Sequence, residues 1–369
     1  MTISQFISWC VAAITFGTVI MYGCIGETIN QKAGDLNLGV PGVMMIGGIA
    51  SLAAAFLYEN NAANPNPFVS MILTLVATIV ASGLAGLLYA FLTVTQKVNQ
   101  NVTGLTLTIF GTGVANFFGG SMMKLSGGVG TISVATTANM FRAKLPGLFG
   151  KFGTFGSIVF SHGWMVYLAL IMAFAIQYFL NKTRVGLNLR AVGENPATAD
   201  AAGINVTRYK YMAAVIGSAI CGLGGLFYVM DYVQGSWAND STIEALGWLA
   251  VALVIFTSWK PRNATWGAYL FGLCYWAYIY IPVGVSKYLA DKLQLANVTY
   301  MQNLYKMLPY LVTIVVLCVV SRKKKREHQA PASLGMSLFR EERSDDGCFR
   351  AETAFLKNPC SIRLCYHGR

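Results

Sequence analysis

Long apolar runs without charged residues recur along this chain and constrain its fold more than any other feature. A membrane-spanning helix needs about 20 mostly apolar residues, because the hydrocarbon core is about 30 Å thick and each helical residue rises about 1.5 Å. Nine runs have this character, at residues 4–24, 40–58, 67–94, 102–123, 163–181, 211–233, 244–259, 264–285 and 304–321. The pattern predicts an all-α, polytopic membrane protein with about 8–10 transmembrane helices within a transmembrane domain of residues 1–321.

The charge content agrees with a membrane protein. Only 11% of the residues are charged, whereas soluble domains carry roughly a quarter. The net charge is +12, and many basic residues cluster in three polar segments, at 182–210, 260–262 and 322–326. If the spans alternate, these segments share one side, and the positive-inside rule makes that side cytoplasmic. The C-terminus, within a polar and partly disordered tail of residues 322–369, is then cytoplasmic.

Two segments interrupt the apolar pattern. Residues 26–42 carry three charged residues, then Gly39, Pro41 and Gly42 directly before an apolar run. Glycine and proline break helices, so this stretch forms either a broken transmembrane helix or an interfacial loop. Residues 124–162 are rich in Gly and Phe and contain Pro146. They form either an outer loop with a short interfacial helix or a span split by glycines.

No motif in the sequence indicates catalysis, a resident metal or a cofactor, and we expect none of the three. The most informative polar segment is 184–209, RVGLNLRAVGENPATADAAGINVTRY. Asn195 and Pro196 suit the start of a helix, the alanine-rich run 197–202 continues it, and Gly203 is placed to end it. We therefore predict a short exposed helix whose small side chains let another surface approach closely.

Four segments together resemble ATP-binding cassette (ABC) importer permeases of the ribose, branched-chain amino acid and nucleoside class. The residues that carry the resemblance are GLNLRAVGENPATADAAGINV, GETINQKAGDLNLGVPGVMMIGG, IEALGWLAVALVIFTSWKPRNATWGA and APASLGMSLFREER. They stand in the family's order and are spread over most of the length of residues 22–343. The last of them is most similar to the nucleoside-type permeases, which are related to the simple-sugar type.

The resemblance implies a multi-pass subunit of a bacterial cytoplasmic (inner) membrane that hydrolyses no ATP itself. Its implied partners are two cytoplasmic ABC ATPase subunits, a second permease subunit that is either identical or different, and an extracytoplasmic solute-binding protein. Residues 182–210 become the cytoplasmic coupling loop. The residues expected to contact the ATPase are Gly193, Glu194, Asn195, Pro196, Ala199, Ala202 and Gly203.

A path for a small polar solute, such as a nucleoside, a purine or a simple sugar, needs amides, hydroxyls and aromatic rings with few charges. The candidates in or beside the spans are Asn37, Thr106, Thr108, Phe110 and Asn116. Such groups also serve to hydrogen-bond a neighbouring helix. Glycine-rich faces around Gly217, Gly225 and Gly86 are expected to allow close helix packing.

An ion-coupled secondary transporter, a passive channel and a membrane enzyme are the alternatives. Ion coupling usually requires an ionisable residue inside a span. Glu27, Asp35, Asp231 and Glu244 lie near predicted span ends, where we expect interfacial contacts. The coupling-like loop favours an ABC permease over a channel, since a passive pore needs no ATPase.

Overall fold

A computed structural model describes residues 3–62, 64–125, 132–144, 156, 158–237, 241–281, 304–305, 307–321 and 329–336. Within these ranges the regular structure is helical. The helices are α1 (Ile3–Lys32), α2 (Val40–Asn61), α3 (Pro67–Ala90), α4 (Gln100–Leu125), α5 (Ala135–Phe141), α6 (Trp164–Lys182), α7 (Arg184–Glu194), α8 (Pro196–Ala201), α9 (Val206–Phe227), α10 (Thr242–Phe256), α11 (Pro261–Tyr280) and α12 (Leu308–Ser321). Turns of π-helix extend α3 over Phe91–Thr95 and α9 over Tyr228–Tyr232.

The predicted polytopic all-α fold is confirmed. Among the described residues, six helices are long and apolar enough to cross a membrane: Ile3–Lys32, Val40–Asn61, Pro67–Thr95, Gln100–Met122, Trp164–Lys182 and Val206–Tyr232. The other three predicted spans coincide with α10, α11 and α12. The described parts of α10 and α12 have 15 and 14 residues, and the Tyr, Trp and Gly residues of α11 lower its mean hydropathy.

Helices α1, α2 and α9 form the centre of the bundle. Every residue of α1 from Phe16 to Gln31 is buried, and so is the end of α9 from Ile220 to Phe227. Helix α6 lies at the periphery and exposes apolar side chains such as Ile171 and Phe174. This surface suits lipid, because a membrane protein presents apolar side chains to the hydrocarbon core.

Glycines set the spacing of the central helices. A Cβ added at Gly217 would lie 2.4 Å from Oδ1 of Asn30, and one added at Gly225 would lie 1.9 Å from the Met44 carbonyl oxygen. At Gly86 the corresponding distance to the Ala214 carbonyl oxygen is 2.5 Å. The predicted role of these glycines in close helix packing is confirmed, since any side chain there would push two helices apart.

Side-chain contacts define the two ends of the bundle. At one end, called the basic end here, α1 finishes at Lys32, α6 finishes at Lys182 and α11 starts after Lys260. At the opposite end, the hydroxyl of Thr15 contacts Nδ1 of His162 at 3.3 Å. Helix α5 also lies there and is the short helix that was one of the two alternatives for residues 124–162. Residues 126–131, 145–155 and 157 of that segment lie outside the described residues.

Candidate functional site at the basic end of the helix bundle

A compact pair of helices, α7 and α8, fills the segment between α6 and α9 (residues 183–205). Oγ1 of Thr183 accepts a hydrogen bond from the Gly186 amide and caps α7. Oδ1 of Asn195 accepts one from the Thr198 amide at 3.0 Å and caps α8, with Pro196 at its first position. Side-chain caps of this kind stabilise a helix start by about 1 kcal/mol. The short helix predicted from the sequence is therefore present.

The end of α8 also follows the sequence pattern. The Gly203 amide donates to the Asp200 carbonyl oxygen at 3.0 Å, and Gly203 has a φ of 83°. This left-handed conformation is accessible to glycine at little cost. Oδ1 of Asn205 then caps α9 by accepting a hydrogen bond from the Arg208 amide. Three caps within 23 residues make the segment a defined surface rather than a loose connection.

The seven residues predicted to contact an ATPase divide into two groups. Glu194, Asn195, Ala202 and Gly203 are exposed, and Pro196 is half-buried. Gly193 and Ala199 are buried, and Ala199 packs in a small apolar cluster with Val192 and Val206. The exposed group forms the surface that a partner can reach, while the buried pair holds α7 and α8 in place.

Gly193 joins this segment to the end of α1. A Cβ at Gly193 would lie 2.2 Å from the Lys32 carbonyl oxygen and 3.1 Å from the Gly34 amide nitrogen. Only a residue without a side chain permits this approach. Helix α7 is therefore in close backbone contact with the end of α1 and with the loop that follows it.

Residues 329–336, within the predicted tail, pack onto the same junction. The amide and Oγ of Ser333 both donate to the Gly193 carbonyl oxygen, and the Gly335 amide donates to the Gly34 carbonyl oxygen at 3.1 Å. Ser333 is buried. The sequence contains no apolar periodicity here to reveal this contact, which depends on two backbone carbonyls far away in the chain.

The loop of residues 33–39 between α1 and α2 is buried, so the irregular segment predicted at 26–42 lies inside the protein. Its backbone groups bond to side chains of other helices. The Leu36 amide donates to Oε1 of Gln100, the Leu36 carbonyl accepts from the Tyr89 hydroxyl, and the Leu38 carbonyl accepts from Thr108. Non-helical backbone at membrane depth persists where the protein satisfies its hydrogen bonds in this way.

Two buried acids anchor this loop. Nζ of Lys210 lies 2.7 Å from Oδ1 of Asp35, and both side chains are almost completely buried. Burial raises the pKa of the Asp35 carboxyl, and the charge of Lys210 opposes that rise. Glu27 accepts hydrogen bonds from Nδ2 of Asn30, Nε2 of Gln31 and the Asn37 amide.

The expectation that Glu27 and Asp35 make interfacial contacts is therefore wrong. Both residues are at most 1% exposed, because the loop that carries them folds into the bundle instead of lying at its surface. Lys210, Gln100 and Trp259, whose indole donates to Oε1 of Gln31, complete the cluster and were missed by the sequence reasoning. The charge of Lys210, four residues into α9, was the available signal.

The residues predicted to line a solute path occupy different environments. Asn37 and Thr108 are buried in the loop contacts described above. Thr106, Phe110 and Asn116 lie on the exposed face of α4. Among the described residues the five candidates thus divide between a buried loop and an exposed helix face, and the solute-path role of all five remains a prediction.

A cavity of about 690 Å³ lies at the opposite end of the bundle. Polar side chains contribute much of its lining: Thr15, Asn139, Arg142, Lys144, Ser161, His162, Asp231 and Gln234. Burial lowers the pKa of His162 to about 4, so its imidazole is neutral near pH 7. The cavity presents hydrogen-bonding groups of both kinds and is large enough for a small polar molecule.

Among the described residues there is no cluster of His, Cys, Asp and Glu that could hold a metal ion. A polytopic helical bundle with an exposed polar segment at one end and a polar cavity at the other fits a membrane transport subunit. The chain belongs to the family described as "Branched-chain amino acid transport system / permease component", whose model matches residues 10–317.

Several curated relatives are ABC transporter permeases. The putative glucose ABC transporter permease protein TsgC13 of Haloferax volcanii is 30% identical over 89% of this chain and 97% of its own. The guanosine ABC transporter permease protein NupQ of Bacillus subtilis is 29% identical over 71% of this chain and 78% of its own. The nucleoside ABC transporter permease protein NupC of Lactococcus lactis is 27% identical over 83% of this chain and 90% of its own. No solved structure matches the chain.

The predicted resemblance to permeases of the nucleoside and simple-sugar class is confirmed by these relatives. The chain is a multi-pass ABC transporter permease subunit and not itself an enzyme. This assignment decides against the alternatives of an ion-coupled transporter and a passive channel.

Proposed function

We propose that this subunit imports a neutral polar solute, a nucleoside, and that ATPase subunits drive it through the α7–α8 segment. The observation that carries the proposal is the junction at Gly193. The exposed residues Glu194 and Asn195 follow directly after a glycine that touches both the end of α1 and the buried loop 33–39. Force applied to α8 by a partner therefore reaches the transmembrane core through backbone contacts.

The transmission path continues into three further helices. Loop 33–39 is bonded to α3 through Tyr89, to α4 through Gln100 and to α9 through Lys210. These contacts make the loop a common support for the helices around it. A shift of α7 and α8 would thus reorient several transmembrane helices together, which alternating access requires.

The charged and polar side chains at the two ends of the bundle favour a polar solute. At the basic end, Glu27 accepts hydrogen bonds from protein groups and the charge of Asp35 is paired with that of Lys210, so protein groups compensate both buried acids. The cavity at the opposite end is lined by two cations and one acid, Arg142, Lys144 and Asp231, and also offers the amides of Asn139 and Gln234 and the neutral imidazole of His162. Such groups pair with the hydroxyls and base edges of a nucleoside. Two of the relatives described above are named as permeases for guanosine and for nucleosides.

A simple sugar is the second candidate, because the relative from Haloferax volcanii, covered over 97% of its length, is named as a putative glucose permease. In either case the proposed orientation places the basic end and the C-terminus in the cytoplasm of a bacterium. The proposed partners are cytoplasmic ABC ATPases, a second permease subunit and an extracytoplasmic solute-binding protein.

The first experiment is purification of the tagged full chain in mild detergent, with mass spectrometry of the proteins that accompany it. We expect an ATPase with a nucleotide-binding P-loop and a second permease. The complex is then reconstituted into vesicles and supplied with ATP, the solute-binding protein and labelled uridine or labelled glucose. ATP-dependent uptake of uridine, reduced by excess unlabelled nucleosides but not by glucose, is the expected result. A chain that purifies alone and moves solute without ATP would refute the proposal.

The coupling surface is tested by Glu194→Lys, with Glu244→Lys, at a half-buried position at the other end of the bundle, as the control for charge reversal. Glu194 is exposed at the start of the α8 surface, so its reversal leaves the fold intact and disturbs the partner contact. We expect the variant chain to insert into the membrane normally. The complex should then either hydrolyse ATP without solute uptake or fail to retain its ATPase subunits. Normal uptake by Glu194→Lys would remove this surface from the coupling mechanism.

A further inference from the structure

A second cavity, of about 510 Å³, lies at the basic end and carries a high density of positive charge. It is formed where α1, α6 and α7 meet the turn between α10 and α11. Its charged lining residues are all basic: Lys32, Lys182, Arg190, Lys260 and Arg262. The remaining lining includes Gln177, Asn181 and Asn263, which are hydrogen-bonding groups without charge.

These five cations have no acidic partner within ion-pair distance among the residues that the structure describes. The ion pair found among the described residues joins Lys210 to Asp35, and it belongs to the buried loop and not to this cavity. The guanidinium of Arg190 donates instead to Oδ1 of Asn181 at 3.1 Å. Glu194 is the acid whose charge reaches Lys32 from outside the cavity lining. Within the described parts, the cavity therefore concentrates uncompensated positive charge.

The helix dipoles stabilise two of the five cations and destabilise two others. Lys32 and Lys182 occupy the last turns of α1 and α6, where a positive charge interacts favourably with the helix dipole. Lys260 is the N-cap of α11 and Arg262 lies in its first turn, which contains no acid. A helix N-terminus carries partial positive charge, so both residues are repelled by their own helix. A bound anion would offset this repulsion and attract all of these cations.

The depth of the cavity corresponds to a membrane surface. The ends of two candidate membrane spans, at Lys32 and Lys182, and the start of α11 at Pro261 lie at its wall, so it is level with the ends of these helices. One turn inward on α6, Tyr178 is 66% exposed, and Trp266 of α11 is 81% exposed. Exposed Tyr and Trp side chains near helix ends are typical of the membrane–water interface. The cavity thus lies where lipid phosphates are found.

We propose that this cavity binds the phosphate headgroup of an anionic phospholipid. The Arg190 and Arg262 guanidinium groups provide forked donors suited to phosphate oxygens, and Lys260 adds a point charge beside the α11 N-terminus. Basic pockets between transmembrane helices at the cytoplasmic surface are suited to anionic headgroups. The assignment to the cytoplasmic leaflet rests on the proposed function, whereas the binding itself requires only that the chain is in a membrane.

The test uses the delipidated full chain and native mass spectrometry. Phosphatidylglycerol, phosphatidylcholine and water-soluble glycerol phosphate are titrated separately onto the wild-type chain. The principal variant is Arg190→Gln/Lys260→Gln/Arg262→Gln. Its matched control, Arg184→Gln/Arg208→Gln/Lys124→Gln, removes three exposed positive charges that do not line the cavity. The single variant Arg262→Gln, at an exposed position, serves if the triple variant fails to fold.

We expect phosphatidylglycerol to bind wild type more tightly than phosphatidylcholine does. Each positive charge removed from the cavity should weaken the affinity for phosphatidylglycerol about five-fold, which is about 100-fold for the triple variant. The control variant should change this affinity little. Equal affinity for the two lipids, or an equal loss in the control, would overturn the proposal. So would glycerol phosphate binding as tightly as the lipid, which would identify a site for a free phosphate.

The acidic run at 341–346 of this chain is another possible source of negative charge. A chain lacking residues 337–369 therefore forms the last arm of the experiment. Lipid selectivity should be the same with and without this segment. Selectivity seen only after its removal would show that the protein's own tail occupies the cavity, and would overturn the lipid proposal. None of these results depends on ATPase recruitment or solute uptake, so the transport proposal is tested separately.

Discussion

The buried ion pair between Asp35 and Lys210 provides the sharpest test of the fold at the basic end. At 2.7 Å, two unit charges attract by about 6 kcal/mol if the effective dielectric constant is about 20. Desolvation of both groups offsets much of this attraction. Removing one partner is more damaging, because the other charge is then left buried without compensation, at a cost of about 3–5 kcal/mol.

The perturbation is a double-mutant cycle with Asp35→Asn, Lys210→Met and the two together. Each single variant should lose about 3–5 kcal/mol of unfolding free energy. The double variant should lose no more than about 2 kcal/mol, since the Asp35→Asn change leaves a hydrogen-bonding amide near Gln100 and no charge remains. The coupling free energy, which is the change in the double variant minus the sum of the changes in the two single variants, is then large and opposite in sign to the single-variant changes.

Unfolding free energies are measured by titrating detergent-solubilised protein with SDS in mixed micelles and following circular dichroism. Lys124→Met, at an exposed position, is the control for loss of a positive charge and should change stability by less than about 0.5 kcal/mol. Strictly additive losses in the cycle, or single losses below about 1 kcal/mol, would show that the two charges do not form the buried pair described here.

Three further predictions concern the junction and the opposite end. Gly193→Ala should cost about 1–3 kcal/mol in the SDS titration because its Cβ meets the Lys32 carbonyl, whereas Gly203→Ala meets no atom within 4 Å and should cost about 1 kcal/mol from its positive φ. Truncation after Glu342 should leave thermal stability unchanged, and truncation after residue 328 should lower it because it removes the bonds from Ser333 to Gly193. Stability should fall by about 2 kcal/mol between pH 7.5 and pH 5 through His162, whose pKa is lowered to about 4 by burial.

The sign of the pH effect follows from proton uptake. Below the ordinary histidine pKa of about 6.5 the unfolded chain binds a proton that the folded chain binds only near pH 4. Stability is therefore complete above pH 6.5 and declines as the pH falls toward 4. His162→Gln should flatten the decline, and an unchanged slope would contradict the assignment. A smaller loss from Gly193→Ala than from Gly203→Ala, or equal stability of the two truncations, would contradict the other two predictions.

Much of the fold could be predicted from the sequence because its signals are local. Six of the nine predicted spans coincide with described helices that are long and apolar enough to cross a membrane, since length and apolar composition in a single stretch decide this. The α8 helix was also predictable, because Asn195, Pro196 and Gly203 act on the backbone within a few residues of themselves. The same local chemistry carries the resemblance to known permeases, so the amino-acid sequence was sufficient to recognise the family.

The tertiary structure alone decided how distant polar groups combine. Asp35 and Lys210 are 175 residues apart, and Ser333 lies 140 residues from Gly193. No local pattern indicates that the loop 33–39 folds inward, so Glu27 and Asp35 looked like interfacial residues when they are buried supports. Apolar length fixes which segments enter the membrane. The pairing of polar groups depends on which helices become neighbours, and packing over the whole chain determines that.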